Sequence, residues 1–186
     1  MTSFEYYLKE WIIPIAIAII LVIVFYSFLS FVLKTNFPLV VVVSRSMEHA
    51  ENIDKKYYKY FENLGYNIAQ INQFPIKHGF GIGDVLVIMK QEKYNVGDVI
   101  AFVPKCHQTL ECLYEPACKG IPIVHRIVKI NDDNTYMTKG DNNEDLIRKC
   151  FSEEKIESDW IEGKVIFVLP KIGLIRYLIY KILKIW

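Results

Sequence analysis

The sequence has almost no net charge: 22 Lys and Arg oppose 21 Asp and Glu, a formal +1. No long-range positive field exists to gather nucleic acid, so nucleic acid is not expected as a partner. The four cysteines contain no Cys-x-x-Cys, a spacing that structural zinc sites favour. No repeat period is present either. Gly83-Asp84-Val85 and Gly97-Asp98-Val99 are simply two turn dipeptides before apolar strands. What is abundant is apolar surface. With 52% hydrophobic and 23% charged residues, disorder is excluded as the main state, and 186 residues suit one ordinary domain.

The most informative absence is local. From Ile12 to Leu33, 22 consecutive residues contain no Asp, Glu, Lys, Arg or His. At about 1.5 Å per residue the run reaches roughly 33 Å, the thickness of a bilayer's ~30 Å hydrocarbon core. A soluble helix of this length would carry a polar face, which is missing. A cleaved secretory leader would have a shorter apolar run ending in small-x-small, and Ser27 to Leu33 offers no such site. The segment reads as an uncleaved anchor with Pro14 harmless in its first turn. Lys9 before it and Lys34 and Arg45 after it are too evenly placed to orient it.

The expected organisation is a tail (1–11), the anchor (12–33), a β-rich domain (34–170) and a short amphipathic helix (171–186). Short Val- and Ile-rich runs separated by Gly, Asp, Asn and Pro predict strands at Leu39–Val43, Val85–Met89, Val99–Val103, Ile121–Val128, Tyr136–Thr138 and Lys164–Leu169. Two insertions interrupt them, at about 48–80 and 105–120. In the first, Glu48 to Gly65 carries Tyr57, Tyr58, Tyr60, Phe61 and Leu64 at partly helical spacing and predicts an amphipathic surface helix. The second is a cysteine-bearing loop. At the C-terminus, Arg176, Lys181 and Lys184 fall on one helical arc, which suits a helix lying on a membrane surface or packed on the domain.

Three constellations could carry chemistry. Ser44-Arg45-Ser46-Met47 follows the run Val40–Val43, and a serine in a turn after a buried strand can expose a rigidly held hydroxyl beside free backbone N–H groups. In Pro122 to Val128, strand alternation puts Ile123, His125 and Ile127 on one face, so one histidine sits among aliphatics, where a neutral imidazole can serve as a base. His49, His78 and His107 lie in loops. Lys139-Gly140-Asp141-Asn142-Asn143, with Asp145 beyond, offers an acid to orient the base. Taken singly, each reads as a turn or a core residue; taken together they supply nucleophile, base and acid.

In this order, Ser-x-Ser-Met (Ser44–Met47), Gly-Asp-Val-Ile-x-Phe (Gly97–Phe102), Val-His-Arg-Ile-Val (Val124–Val128) and Thr-Lys-Gly-Asp-Asn-Asn (Thr138–Asn143) resemble type I signal peptidase, in its archaeal and endoplasmic-reticulum branch with Ser and His. The resemblance covers the anchor and nearly all strands but neither insertion. It implies a mainly β, signal-peptidase-type domain, with Ser46 as acylating nucleophile and His125 as general base. Asp141, with Asp145 as second choice, would be the acid, and Ser44 an oxyanion donor. It also implies secretory preproteins cut after small-x-small, no cofactor and no metal. The lipid bilayer would be a partner, with translocation machinery or accessory subunits as further partners. The domain would stand on the extracytoplasmic side of the cell membrane, single-pass. Departures from the family pattern are Arg45 where Gly is usual, Glu48-His49 where Glu-Pro is common, and Ile147 where relatives often place a second acid.

Cys106, Cys112, Cys118 and Cys150 allow three pairings, among which sequence does not choose; zinc with His107 is the rival. The aliphatic runs Leu39–Val43 and Val99–Val103 are expected to wall a pocket for small side chains. The competing functional reading is an inactive membrane-anchored β module that binds extended peptides or partner subunits. A self-cleaving repressor-like protease would need a DNA-binding domain that the sequence does not contain.

Overall fold

The computed structural model describes residues 7–49 and 51–183, without the side chains of residues 8, 51–55, 176, 180, 181 and 183. A π-helical turn, Leu8–Ile12, runs into helix α1, Ile13–Leu33, with Pro14 in its first turn. The helical stretch Lys9–Leu33 is long and apolar enough to cross a membrane, and its most apolar window is not buried against protein. A core helix would be covered, so the charge-free run is no core element. It stops at Lys34, whose left-handed backbone (φ 53) returns its N–H to Ser30 O. Lys90 N then donates to Leu33 O at 2.9 Å, joining the last turn of α1 to the domain.

The domain is one six-stranded antiparallel sheet. Its strands are β1 (Leu39–Val41), β2 (Val85–Met89), β3 (Val99–Phe102), β4 (Ile123–Ile130), β5 (Tyr136–Lys139) and β6 (Ile161–Leu169), in the order β1-β2-β6-β3-β4-β5. All six predicted strands are present, Val85–Met89 with the predicted ends and the other five with shifted ones. The fold is mainly β with one N-terminal apolar helix and a short C-terminal helix. Leu86, Ile88, Val99, Ala101 and Val165 bury one side of the sheet with Met47 and Phe80. Ile100, Phe102, Ile127, Ile156 and Ile161 bury the other with Cys112 and Cys150.

The first insertion is more than a surface helix. Helix α2, Glu51–Asn63, turns Tyr57 and Phe61 into a buried cluster with Ile71 and Val128 of β4. The short helix α3, Ile68–Ile71, is closed by a reciprocal Asn67–Gln70 capping box. In the second insertion all four cysteines are paired, Cys106 with Cys118 and Cys112 with Cys150. The pairing question is thereby resolved and the zinc reading set aside. Helix α4, Leu174–Leu183, forms as predicted and exposes Ile175, Leu178, Ile179 and Ile182. The basic arc expected at Arg176, Lys181 and Lys184 lies outside the described side chains.

Candidate active site

The chain leaves β1 at the sheet edge and turns sharply at Ser44–Met47. Met47, 1% exposed, plugs the core beneath the turn, which raises Ser46 toward the surface. Three contacts fasten this turn to the Gly140–Asn143 box. Asn142 N donates to Ser46 O at 2.8 Å, Asn142 Nδ2 to Arg45 O at 2.9 Å and Asp141 N to Met47 Sδ at 3.3 Å. The Ser46 and Ser44 hydroxyls are 3.2 Å apart.

His125 lies in β4, 3% exposed. Its Nδ1 meets Oε1 of Glu153 at 2.5 Å. Glu153 is fully buried, and its carboxylate also accepts from Thr138 Oγ1 at 3.1 Å and from Ile147 N at 2.7 Å. The other ring nitrogen, Nε2, faces Gly140, where a Cβ would stand only 2.9 Å from it. A glycine is therefore required at this point for the ring to approach the turn.

Neither of the expected orienting acids is placed against His125. Asp141 turns away from His125 and receives Arg126 Nε at 2.9 Å and Nη2 at 2.7 Å, together with His49 Nε2 at 2.8 Å. Burial alone would raise the Asp141 carboxyl, but the Arg126 guanidinium and the His49 hydrogen bond outweigh it and hold the group below the usual carboxylate range. Asp145 is on the surface, paired with Arg148 at 2.7 Å. The carboxylate that does meet His125, that of Glu153, is not among the residues the sequence motifs single out. It is nonetheless held by the backbone of Ile147, the position at which a second acid was sought.

Lys139 is a buried lysine whose ammonium is pushed below its ordinary value by desolvation. It donates to Gly140 O and Asn143 O and sits 4.9 Å over the Tyr60 ring. It lines a small hollow beneath Tyr60 with Asp141, away from Ser46. The imidazole that lines the cleft with Ser46 is that of His125.

Ser44, Ser46 and His125 line one cleft of about 520 Å³. Among the described residues no hydrogen bond joins Ser46 to His125; such bonds are often long before substrate fills a site. One wall is Val40–Val43, as expected. The other is not β3, whose four residues are fully buried in the core. It is built by Glu115–Cys118, Ile121–Val124, Ile147 and Lys149–Phe151, so the cysteine loop takes the place expected of Val99–Val103. A serine hydroxyl, an imidazole and a buried carboxylate around an apolar cleft compose the parts of acyl transfer to serine.

No protein-family model matches the chain. It is 31% identical over 163 residues to the signal peptidase complex catalytic subunit SEC11 of Eremothecium gossypii, an alignment spanning 83% of this chain and 73% of that protein. The SEC11 subunits of Komagataella phaffii and Ogataea parapolymorpha are each 30% identical, over 83% of this chain and 74% of theirs. On this likeness, with the fold above, the chain belongs to the family of signal peptidase catalytic subunits, serine endopeptidases that remove signal peptides from secretory precursors.

Proposed function

We propose that this chain carries out that cleavage with Ser46 as nucleophile, His125 as general base and Glu153 as the acid that orients it. Ser46 Oγ attacks the scissile carbonyl while its proton passes to His125 Nε2. His125 Nδ1–H donates to Glu153, which fixes the tautomer and stabilises the imidazolium. The tetrahedral oxyanion is taken by the Ser46 N–H and the Ser44 hydroxyl. His125 then protonates the leaving amine, and water attacks the acyl-enzyme by the reverse relay. The observation that carries this reading is the His125–Glu153 contact at the cleft that also holds Ser46.

The substrate is a secretory preprotein lying as an extended strand beside the free edge of β1, whose residues line the cleft. The bilayer holds the enzyme through α1. The relatives' names, subunits of a complex, support accessory subunits as partners. The domain stands on the extracytoplasmic side of the cell membrane, single-pass, a placement supported by its two disulfides, which need an oxidising compartment. Protease added to intact spheroplasts then reaches residues beyond Leu33 and spares the N-terminal tail; protection of the domain reverses the topology.

The decisive assay is cleavage of a synthetic preprotein by the detergent-solubilised full chain, wild type against Ser46→Ala. Loss of processing with an unchanged circular dichroism spectrum is expected. Full processing by the alanine variant removes Ser46 from the chemistry.

A further inference from the structure

The loop that delivers Glu153 meets the sheet at Glu153 itself, where Thr138 N of β5 donates to Glu153 O at 2.9 Å. Between β5 and the bridge of Ile156 to Tyr136, the chain forms turns and bends only. Ile147 and Glu153 close a small loop on themselves, with Glu153 N donating to Ile147 O at 2.9 Å and Ile147 N to Glu153 Oε2 at 2.7 Å. At its middle is Cys150, buried at 3% and bonded to Cys112, which is equally buried. His107 N adds a hydrogen bond to Cys150 O at 2.9 Å. The partner loop, 105–120, likewise contains only two short 3-10 turns. Two segments without strands of their own are therefore joined by one covalent bond, beside the backbone hydrogen bond that pins the first of them to β5 at Glu153. One carries the acid that meets His125; the other supplies a wall of the cleft. The second disulfide, Cys106–Cys118, lies within the wall loop and packs against the same core cluster as Cys112 and Cys150, with no covalent bond to the acid-bearing segment.

We propose that the Cys112–Cys150 disulfide is a positioning element of the reaction, locking the 147–153 loop so that the Glu153 carboxylate reaches His125, whereas Cys106–Cys118 shapes only the substrate wall. This rests on the Ser46–His125–Glu153 reading. The enzyme is then active only in its oxidised form. Reduction by a dithiol breaks the Cys112–Cys150 S–S bond; two electrons and two protons pass to the two sulfurs, and the dithiol closes to its own disulfide. The freed loop loses its tether at the residue three before Glu153.

The two disulfides are distinguishable by a double-mutant cycle on the full chain in detergent, with preprotein cleavage as readout. The Cys112→Ser/Cys150→Ser pair is expected to lower kcat by about tenfold or more in the wild-type background and by less than about twofold in the Glu153→Gln background, because a group that acts through Glu153 has nothing left to position once Glu153 is removed. The Cys106→Ser/Cys118→Ser pair is expected to raise KM and leave kcat within about twofold. Equal kcat losses in both backgrounds, the mark of a merely structural bond, overturn the proposal; so does an unchanged kcat. If the Cys112/Cys150 pair does not fold, reduction of the folded wild type with dithiothreitol replaces it. Activity should then fall as four thiols appear and return on reoxidation, and full kcat with all four thiols free overturns the proposal. A wild type that cleaves no better than Ser46→Ala defeats the underlying reading instead, before either disulfide is tested.

Discussion

Nδ1 of His125 lies 2.5 Å from Oε1 of Glu153, and the two side chains expose 4% and 0% of their area. Water cannot substitute for a carboxylate sealed this way, so the imidazole's orientation depends on one side chain. Glu153→Gln should reduce kcat by about a thousand- to ten-thousandfold, as loss of the orienting acid does in serine proteases generally. Asp145→Asn, on the surface, should process preprotein normally and stay within about 0.5 kcal/mol of wild-type stability. Equal losses from the two substitutions would take Glu153 out of the relay.

Asp141 predicts an acid-sensitive fold. Its folded carboxyl is held below the ordinary 3.8, so its contribution to stability is complete above that value. It is lost as the pH falls from there through the lower folded value, where the native state must give up the ion pair. Asp141→Asn should flatten this acid limb and also destabilise the protein at neutral pH by about 3–5 kcal/mol, since it leaves the Arg126 charge buried without its partner. Thermal unfolding at stepped pH reads both effects, and an acid limb of unchanged steepness in the variant contradicts the assignment.

Gly140→Ala places a Cβ 2.9 Å from His125 Nε2 and 2.7 Å from Asn143 Nδ2. Either the ring or the turn that carries Ser46 must shift. A displacement of this kind can cost about a hundredfold in rate, and kcat should fall accordingly while the fold survives. Normal kcat in this variant means that His125 Nε2 is not where the proton moves.

The cleft walls are aliphatic beside Ser46, from Val40 to Val43 and from Ile121 to Val124. A buried charge would find no partner among them, and a large ring would compete for the same volume. Precursors with Ala or Gly before the scissile bond, and a small or aliphatic residue two positions earlier, should be cut. Lys, Asp or Phe before the bond should be rejected. Equal processing of Ala and Phe at that position would place the specificity pocket elsewhere.

The strands and the anchor were legible in the sequence because they rest on local patterns, Val and Ile between turn residues and a charge-free run. That Ser46 and His125 line one cleft was legible because each sits at a fixed place in a short motif. The Glu153 contact with His125 was not, since it arises from a loop folded back on Ile147 and tied through Cys150 to Cys112, 38 residues earlier in the chain, and nothing local marks such a contact. The placement of Asp141 was not legible for a related reason. Its neighbour in the motif suggested catalysis, but alternation along β4 sends Arg126 to the opposite face from His125, and Asp141 follows the cation. The wall expected of Val99–Val103 failed because β3 lies inside the sheet between β6 and β4, where all four of its residues are covered.

A guanidinium has five N–H donors, and those of Arg126 are all engaged: by Asp141, by Pro75 O and Ile76 O of the Tyr-rich insertion, and by Gly97 O. The Tyr57 ring covers it at 5.2 Å. Opening the insertion alone would strand this cation in the interior, so neither side can fray without the other. Amide exchange in the insertion and in the Gly140 turn should therefore report one shared opening free energy, a single cooperative unit that spans the active-site turn and a segment distant from it in sequence.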